Sequence, residues 1–283
     1  MSPGPVPALR ARGVSLRFGG VQALLDVDID VPAGAVTGLI GPNGAGKTTL
    51  FDVLCGLQRP DAGTVAIGGR DVTRMGPDHR ARLGLARTFQ RLELFWSLSA
   101  ADNVRVGAEA TVQWWRWSHR RRAGARAAAA PGTEVVGALL ERVGLGAVGD
   151  VPVDTLTTDR ARLVELARAL AIGPRVLLLD EPGSGLDGPE SAALGELLVE
   201  LARQGMAVLL VEHDMELVMR VCDRLHVLDA GQVIASGTPD EIRGHQAVRD
   251  AYLGAATAHA GAPQTGAPQT GASQTGERPG EPS

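Results

Sequence analysis

Residues 36–49 read Val-Thr-Gly-Leu-Ile-Gly-Pro-Asn-Gly-Ala-Gly-Lys-Thr-Thr, a short apolar run followed by a glycine-rich loop. Apolar residues then recur at helical spacing as far as Leu57, so the predicted order is strand, loop, helix. The loop fits G-x-x-x-x-G-K-[ST], in which backbone N–H groups and a helix N-terminus surround phosphate oxygens. This context favours a nucleotide site over a plain glycine-rich turn. The predicted residues are Gly41, Pro42, Asn43, Gly44, Ala45, Gly46, Lys47, Thr48 and Thr49.

Lys47 is the only lysine among the 28 basic residues of this 283-residue chain. The excess of arginine fits a coding bias, so a surviving lysine indicates a position that arginine cannot serve. Lysine is a compact charge on a flexible stem, whereas the planar fork of arginine would not fit the loop. We therefore expect Lys47 to reach the β- and γ-phosphates and Thr48 to hold Mg²⁺.

The composition argues against several classes of protein. A net charge of −4 does not suit a basic nucleic-acid binder. Cys55 and Cys222 are too few for a disulfide framework and have no metal-ligand spacing, so they predict free buried thiols. No apolar run approaches the roughly 20 residues that cross a bilayer, and residues 1–13 lack the apolar core of a signal peptide. These features predict an intracellular protein, soluble or peripheral.

Apolar patterns outside the loop predict an α/β fold. Residues 26–31 alternate strictly, as in a sheet with one solvated face. The continuous apolar runs 176–179 and 207–211 suit parallel strands that are covered on both faces. Helical spacing occupies much of the middle of the chain, and a hairpin is expected at 225–235. The architecture is therefore an α/β core with an antiparallel edge and a helical insert.

The chain changes character after residue 254. The sequence GAPQT at 261–265 repeats at 266–270 and returns as GASQT at 271–275. Residues 255–283 have almost no apolar bulk, which predicts a disordered low-complexity tail. An inert tail is favoured, although a role in binding a ligand stays open.

A second motif, which is acidic, follows the apolar run at 176–179. Asp180 and Glu181 stand where a buried strand would end, within reach of a metal ion. We expect Asp180 to bind Mg²⁺ and Glu181 to polarise the attacking water. An acidic pair at a strand end is common, but its combination with a phosphate-binding loop favours catalysis.

With both motifs in place, residues 9–254 resemble the ATP-binding subunits of ABC transporters. Gln90 in Arg-Thr-Phe-Gln matches the family's glutamine loop, and Phe18 matches the aromatic residue that stacks on adenine. Asp187 in Ser-Gly-Leu-Asp matches the loop that communicates between two subunits. His213 in Val-Glu-His-Asp matches the histidine that contacts the γ-phosphate.

The resemblance implies a P-loop NTPase (RecA-like) core of the ABC ATPase type, with a helical subdomain at about 95–173 inside a 9–254 domain. It implies ATP and Mg²⁺ as cofactors and ATP hydrolysis as the reaction. The implied catalytic residues are Glu181, His213 and Gln90, and the implied Mg²⁺ ligands are Thr48, Gln90 and Asp180.

Three phrases narrow the resemblance to the ATPases of branched-chain amino acid importers: residues 87–91, 212–219 and 251–254. The implied partners are integral membrane permease subunits, a second ABC ATPase and, indirectly, a solute-binding protein, but no nucleic acid. The implied location is the cytoplasmic face of the cell membrane. The ATPase of a lipid or lipopolysaccharide exporter stays open. A soluble ABC ATPase that acts on nucleic acid or ribosomes is a rival, but the sequence shows no second ATPase domain, long coiled coil or zinc cysteines of the kind such proteins have. Intact Glu181 and His213 argue against a second rival, a non-hydrolysing regulator.

The chain departs from the family at the signature Leu-Ser-Gly-Gly-Gln, which corresponds here to Leu156, Thr157, Thr158, Asp159 and Arg160. In the family this segment contacts the γ-phosphate of the partner's ATP. A carboxylate about 4 Å from a phosphate costs on the order of 4 kcal/mol at an effective dielectric near 20, which Arg160 could partly offset. We expect a weakened site for the partner's nucleotide, which favours a heterodimer. Asp159 is also a good N-cap for the helix that follows, and both interpretations can hold together.

All four tryptophans lie between residues 96 and 117, and residues 113–123 combine three of them with four arginines. This segment is expected to interrupt the helical region. Tryptophan and arginine suit contact with membrane subunits or anionic headgroups. A solvated insert with packed tryptophans is the alternative interpretation.

Overall fold

The computed structural model describes residues 6–119 and 133–251, without the side chains of 111–119. The strands are β1 Leu9–Phe18, β2 Val21–Val31, β3 Val36–Ile40, β4 Ala62–Ile67, β5 Arg70–Asp71, β6 Leu85–Arg87, β7 Val176–Asp180, β8 Ala207–Val211, β9 Arg224–Asp229 and β10 Gln232–Gly237. The helices are α1 Lys47–Cys55, α2 Pro77–Arg82, α3 Ala100–His119, α4 Thr133–Arg142, α5 Thr158–Ala171, α6 Gly188–Arg203, α7 Met215–Val221 and α8 Pro239–Gly244.

The core is a six-stranded sheet in the order β10-β9-β3-β8-β7-β6. Strands β9, β3, β8, β7 and β6 are parallel, and β10 pairs antiparallel at the edge. Every residue of β3, β7 and β8 is buried, which explains their continuous apolar runs. Because the carboxyl ends of these three neighbouring strands meet at one edge, the loops that follow them form a common site.

A second sheet, in the order β2-β1-β4-β5, is antiparallel throughout. Along β2 the side chains of Val27, Ile29 and Val31 are buried, while Asp26 and Asp28 are exposed. The alternation expected at 26–31 is confirmed, because only one face of this sheet packs on the core. The hairpin between β9 and β10 and a capping box at Thr238 are also present.

In the described part of the chain, the α-helices α3, α4 and α5 lie between β6 and β7, and α5 packs against α3 and α4. The expectation that residues 113–123 interrupt the helical region is wrong as far as His119, because α3 continues to that residue. The segment has neither glycine nor proline up to that point, so nothing local ends the helix. Residues 120–123 and the predicted tail at 255–283 lie outside the described residues.

Arg80 fixes the far end of α1 although its side chain is fully buried. Its guanidinium donates to the carbonyl oxygens of Val53 at 2.6 Å and Leu54 at 2.7 Å, in the last turn of α1. A cation at a helix C-terminus satisfies carbonyls that have no partner within the helix. Arg80 therefore anchors the C-terminus of α1, while the N-terminus of this helix points into the common site.

Cys55 and Cys222 are both buried and free, as expected from the cysteine count. Among the described residues, no helix has the length and the apolar character needed to cross a membrane.

Candidate functional site

The loops after β3, β6, β7 and β8 line a cleft of about 460 Å³. It brings together most of the residues expected to bind nucleotide or metal. The lining consists of Asn43, Gly44, Ala45, Gly46, Lys47, Thr48, Thr49, Gln90, Asp180, Glu181, Val211 and His213. Gly41 and Pro42 begin the same loop but do not line the cleft, and Phe18, Asp187 and residues 156–160 lie outside its lining.

The phosphate-binding loop depends on its glycines. Gly41, Gly44 and Gly46 all have positive φ, at 152°, 80° and 104°. A Cβ on Gly41 would collide with the carbonyl of Leu228, and one on Gly46 would lie 2.7 Å from the Ala23 carbonyl oxygen. Gly46 is the N-cap of α1, and no side chain of the described residues caps it. The first N–H groups of α1 therefore stay free to bind an anion.

Lys47 lies under this loop and is only 9% exposed. Its Nζ donates to the carbonyl oxygens of Gly41 at 2.7 Å and Pro42 at 2.9 Å. Burial lowers the pKa of Lys47, and the negative charges of Glu181 and Asp180 oppose that shift. An ammonium has three donors, so one remains for a phosphate oxygen.

Asp180 ends β7 with a buried carboxylate that is 2% exposed. Its Oδ2 has no hydrogen-bond partner among the described residues, and Arg87 Nη2 lies 3.6 Å away. Burial raises the pKa of Asp180, and the Arg87 guanidinium opposes that shift. The cleft thus contains a carboxylate at Asp180, a hydroxyl at Thr48 and an amide at Gln90. This set of oxygen ligands fits Mg²⁺.

Glu181 and His213 form a direct pair, with 2.6 Å between Glu181 Oε1 and His213 Nε2. The backbone of Glu181 has φ 52°, a conformation that costs a non-glycine residue on the order of 1–3 kcal/mol. Its N–H donates to the Val211 carbonyl oxygen at 2.9 Å, which ties the turn after β7 to β8. The strained turn directs the carboxylate into the cleft, where it can accept a proton.

Two buried glutamates support the site, although the sequence pattern assigns neither of them a role. Glu212 accepts hydrogen bonds from the backbone N–H of Gly183 at 2.5 Å and of His213 at 3.1 Å. Burial raises the pKa of Glu212, and these backbone hydrogen bonds oppose the shift. Glu165 on α5 accepts from the Glu93 N–H at 3.4 Å, so it ties α5 to the loop that carries Gln90. Neither residue has a local pattern that separates it from a surface glutamate.

The segment 156–160 spans the loop before α5 and the first residues of that helix. Helix α5 begins at Thr158 with Thr157 as N-cap, so the interpretation of Asp159 as N-cap is wrong. The reason is the extended backbone of Thr157, at φ −66° and ψ 156°, which places Asp159 inside the first turn. Thr157 makes no side-chain cap, and Asp159 lies beside Gly185, whose Cβ would be 3.8 Å from the Asp159 Cβ.

Asp187 and Phe18 have different surroundings. The Asp187 side chain accepts from the Glu190 N–H at 2.8 Å and forms a capping box at the start of α6. Phe18 ends β1 with 49% of its surface exposed, which leaves its ring free to stack. Their roles toward a partner subunit and toward adenine stay predictions.

Comparison with known proteins shows the family to which this chain belongs. The model of the ABC transporter family matches residues 24–184, and the model of the branched-chain amino acid ATP-binding cassette transporter matches residues 232–258. The chain is 36% identical over 252 residues to LivG of Salmonella typhimurium, a high-affinity branched-chain amino acid transport ATP-binding protein. That match covers 88% of this chain and 99% of LivG. Identity to BraF of Pseudomonas aeruginosa is also 36%, over 253 residues and 99% of that protein.

Solved structures agree in fold. The chain is similar to the ADP conformation of MJ1267, an ATP-binding cassette of an ABC transporter, with TM-score 0.74 and 28% identity over 87% of this chain and 98% of that one. It is also similar to a nucleotide-free ATP-binding cassette, with TM-score 0.73 and 27% identity over the same shares. This chain therefore belongs to the ABC transporter family, as one of its ATPase subunits.

Proposed function

We propose that this chain drives a membrane importer for branched-chain amino acids or a similar small polar solute. The observation that carries the ATPase half of this proposal is the cleft, where an uncapped helix N-terminus, oxygen ligands and a Glu–His pair meet. The solute is inferred from the match at residues 232–258 and from the resemblance to LivG and BraF.

The proposed mechanism assigns each part of the cleft one task. The free N–H groups at the start of α1 and the Lys47 ammonium bind the phosphates of ATP. Thr48, Gln90 and Asp180 would hold Mg²⁺, which would supply positive charge close to the transferring phosphoryl group. Glu181 orients the attacking water and accepts its proton, and His213 holds Glu181 in place and takes up charge at the γ-phosphate.

The proposed partners follow from the same family. We place the chain at the cytoplasmic face of the membrane, bound to integral permease subunits and paired with a second ABC ATPase, with a solute-binding protein acting indirectly. Closure of two such subunits on ATP and their opening after hydrolysis would move the permease between two states.

The transport proposal is tested by reconstituting the chain with its permease, partner ATPase and solute-binding protein in lipid vesicles. We expect ATP-driven leucine uptake that stops when Glu181→Gln replaces the wild-type chain. The vesicles without permease subunits serve as the control. Stimulation of ATP hydrolysis by a lipid substrate, with no uptake of amino acid, would contradict import and favour the exporter alternative.

Asp159 makes the two ATP sites of such a pair unequal. Backbone N–H groups at the start of α5 are free of a side-chain cap, yet Asp159 adds a negative charge to that turn. If this turn faces the γ-phosphate bound by the partner, the charges repel. The phosphate-binding loop of this chain is intact, so its own ATP site stays active while the site that it completes for the partner is weakened.

We therefore expect Glu181→Gln in this chain to remove most of the ATPase activity of the assembled complex. The equivalent change in the partner should remove much less. Asp159→Gly should raise the partner's contribution, whereas Asp150→Gly, at an exposed turn, should not. Turnover of purified complexes measures all four variants, and equal losses from the two glutamine variants would rule out the asymmetry.

A further inference from the structure

Arg87 is a buried cation behind the metal-binding edge of the cleft, and the proposed mechanism does not use it. It ends β6, three residues before Gln90, and its side chain is only 6% exposed. Its Nη1 donates to Asp52 Oδ1 at 2.5 Å and to Cys55 Sγ at 3.2 Å, both on α1. Its Nε donates to the Thr88 carbonyl oxygen at 3.2 Å. These contacts anchor the guanidinium to α1 and to its own strand.

Two aromatic rings lie within cation–π distance of the same guanidinium. The Arg87 Cζ lies 4.7 Å from the centroid of Phe89 and 5.7 Å from that of Phe51. Stacking of this kind adds to the hydrogen bonds that hold an arginine fork. Because the side chain is anchored on several sides, its remaining Nη2 stays 3.6 Å from Asp180 Oδ2.

The charges around Asp180 nearly balance without any ligand. Arg87 and Lys47 supply two positive charges against the three carboxylates of Asp52, Asp180 and Glu181. Removal of Arg87 would leave Asp180 as a buried carboxylate with Lys47 as a more distant cation and, among the described residues, no cation within 4 Å, and such a carboxylate strongly attracts a divalent metal. With Arg87 in place, Mg²⁺ alone gains little electrostatic energy from binding at Asp180, because the Arg87 guanidinium repels it. Mg²⁺ bound to a nucleotide brings phosphate charges that offset this repulsion.

We propose that Arg87 is a positioning residue that acts as the internal counter-ion of Asp180. It holds the carboxylate in place while no metal is bound, and it keeps the affinity for Mg²⁺ alone low, so that the metal enters together with the nucleotide. This inference rests on the proposed role of Asp180 as an Mg²⁺ ligand.

The test follows thermal unfolding of the full, nucleotide-free chain as MgCl₂ is added at constant ionic strength. We expect the wild type to respond weakly and only at high Mg²⁺ concentration. Arg87→Gln should unfold at a lower temperature without Mg²⁺ and should recover with it, with an apparent affinity at least about tenfold tighter than that of the wild type. Arg87→Lys keeps the charge but not the fork, so it should unfold at a lower temperature than the wild type and still respond to Mg²⁺ more weakly than Arg87→Gln. Addition of Asp180→Asn to Arg87→Gln should abolish the response to Mg²⁺.

Equal responses of wild type and Arg87→Gln to Mg²⁺ alone would overturn the inference. If Arg87→Gln does not fold, Mn²⁺ binding measured by electron paramagnetic resonance still decides. The wild type should bind Mn²⁺ more than about tenfold more weakly without ADP than with it, and similar affinities would overturn the inference. A separate measurement tests the proposed function itself. If ATP together with Mg²⁺ does not raise the unfolding temperature of the wild type, the proposed function is contradicted.

Discussion

Glu181→Gln should lower ATP turnover by about 10²–10³-fold while ATP still binds. The amide has the size of the carboxyl group but cannot accept the proton of the attacking water. The position is demanding, because Glu181 holds a left-handed backbone and lies 2.6 Å from His213 Nε2. A loss in kcat without a matching loss of nucleotide affinity would identify a role limited to the transition state.

Two measurements check this expectation. Steady-state phosphate release gives the turnover, and the shift of the unfolding temperature by ATP with Mg²⁺ gives the binding. Glu216→Gln is the matched control, because Glu216 is an exposed glutamate in the first turn of α7, just beyond His213. Wild-type turnover in Glu181→Gln would show that another group prepares the water.

The parts of the fold that the sequence predicted are those encoded by neighbouring residues. The run 36–40 and the loop that follows it specify strand, turn and helix through local sterics and burial, and the structure has all three. The same holds for β7 and β8, whose continuous apolar runs have the length of buried strands.

The parts that could not be predicted depend on contacts between distant segments. Arg87 meets Asp52, 35 residues away, and Asp180 on a strand beyond the helical insert. In the sequence, Arg87 is recognisable only as the first residue of the segment 87–91, which resembles other members of the family. Arg80 resembles any surface arginine of a short helix until the carbonyls of α1 close around it. Whether such charges are buried is determined by tertiary packing, and the local spacing of apolar residues in the sequence does not indicate it.

The error at Asp159 has another origin. Thr157, Thr158 and Asp159 are all good capping residues, so the sequence permits helix starts that differ by one or two positions. The structure selects Thr157, and Asp159 becomes a charge in the first turn rather than its cap. This shift matters for function, because a first-turn carboxylate lies among the N–H groups that would face a phosphate.

Lys47→Arg should also reduce ATP turnover at least about 10²-fold, and here nucleotide binding should weaken as well. Lys47 Nζ fits between the carbonyl oxygens of Gly41 and Pro42, at 2.7 and 2.9 Å, in a nearly buried space. The guanidinium of arginine is wider, flat and shorter-stemmed in carbon atoms. It would have to displace the loop to keep both contacts, and the glycines of this loop have backbone angles that leave little room for such a shift.

The chain itself supplies the control for that substitution. It carries arginine at every other basic position, so the reverse exchange Arg59→Lys, at an exposed site, should leave turnover and unfolding unchanged. Phosphate release and the stabilisation by ATP with Mg²⁺ are measured for both variants. Normal turnover in Lys47→Arg would mean that the single lysine is a coincidence of composition. Loss in Lys47→Arg alone would show that the phosphate-binding loop, and not the protein in general, requires lysine.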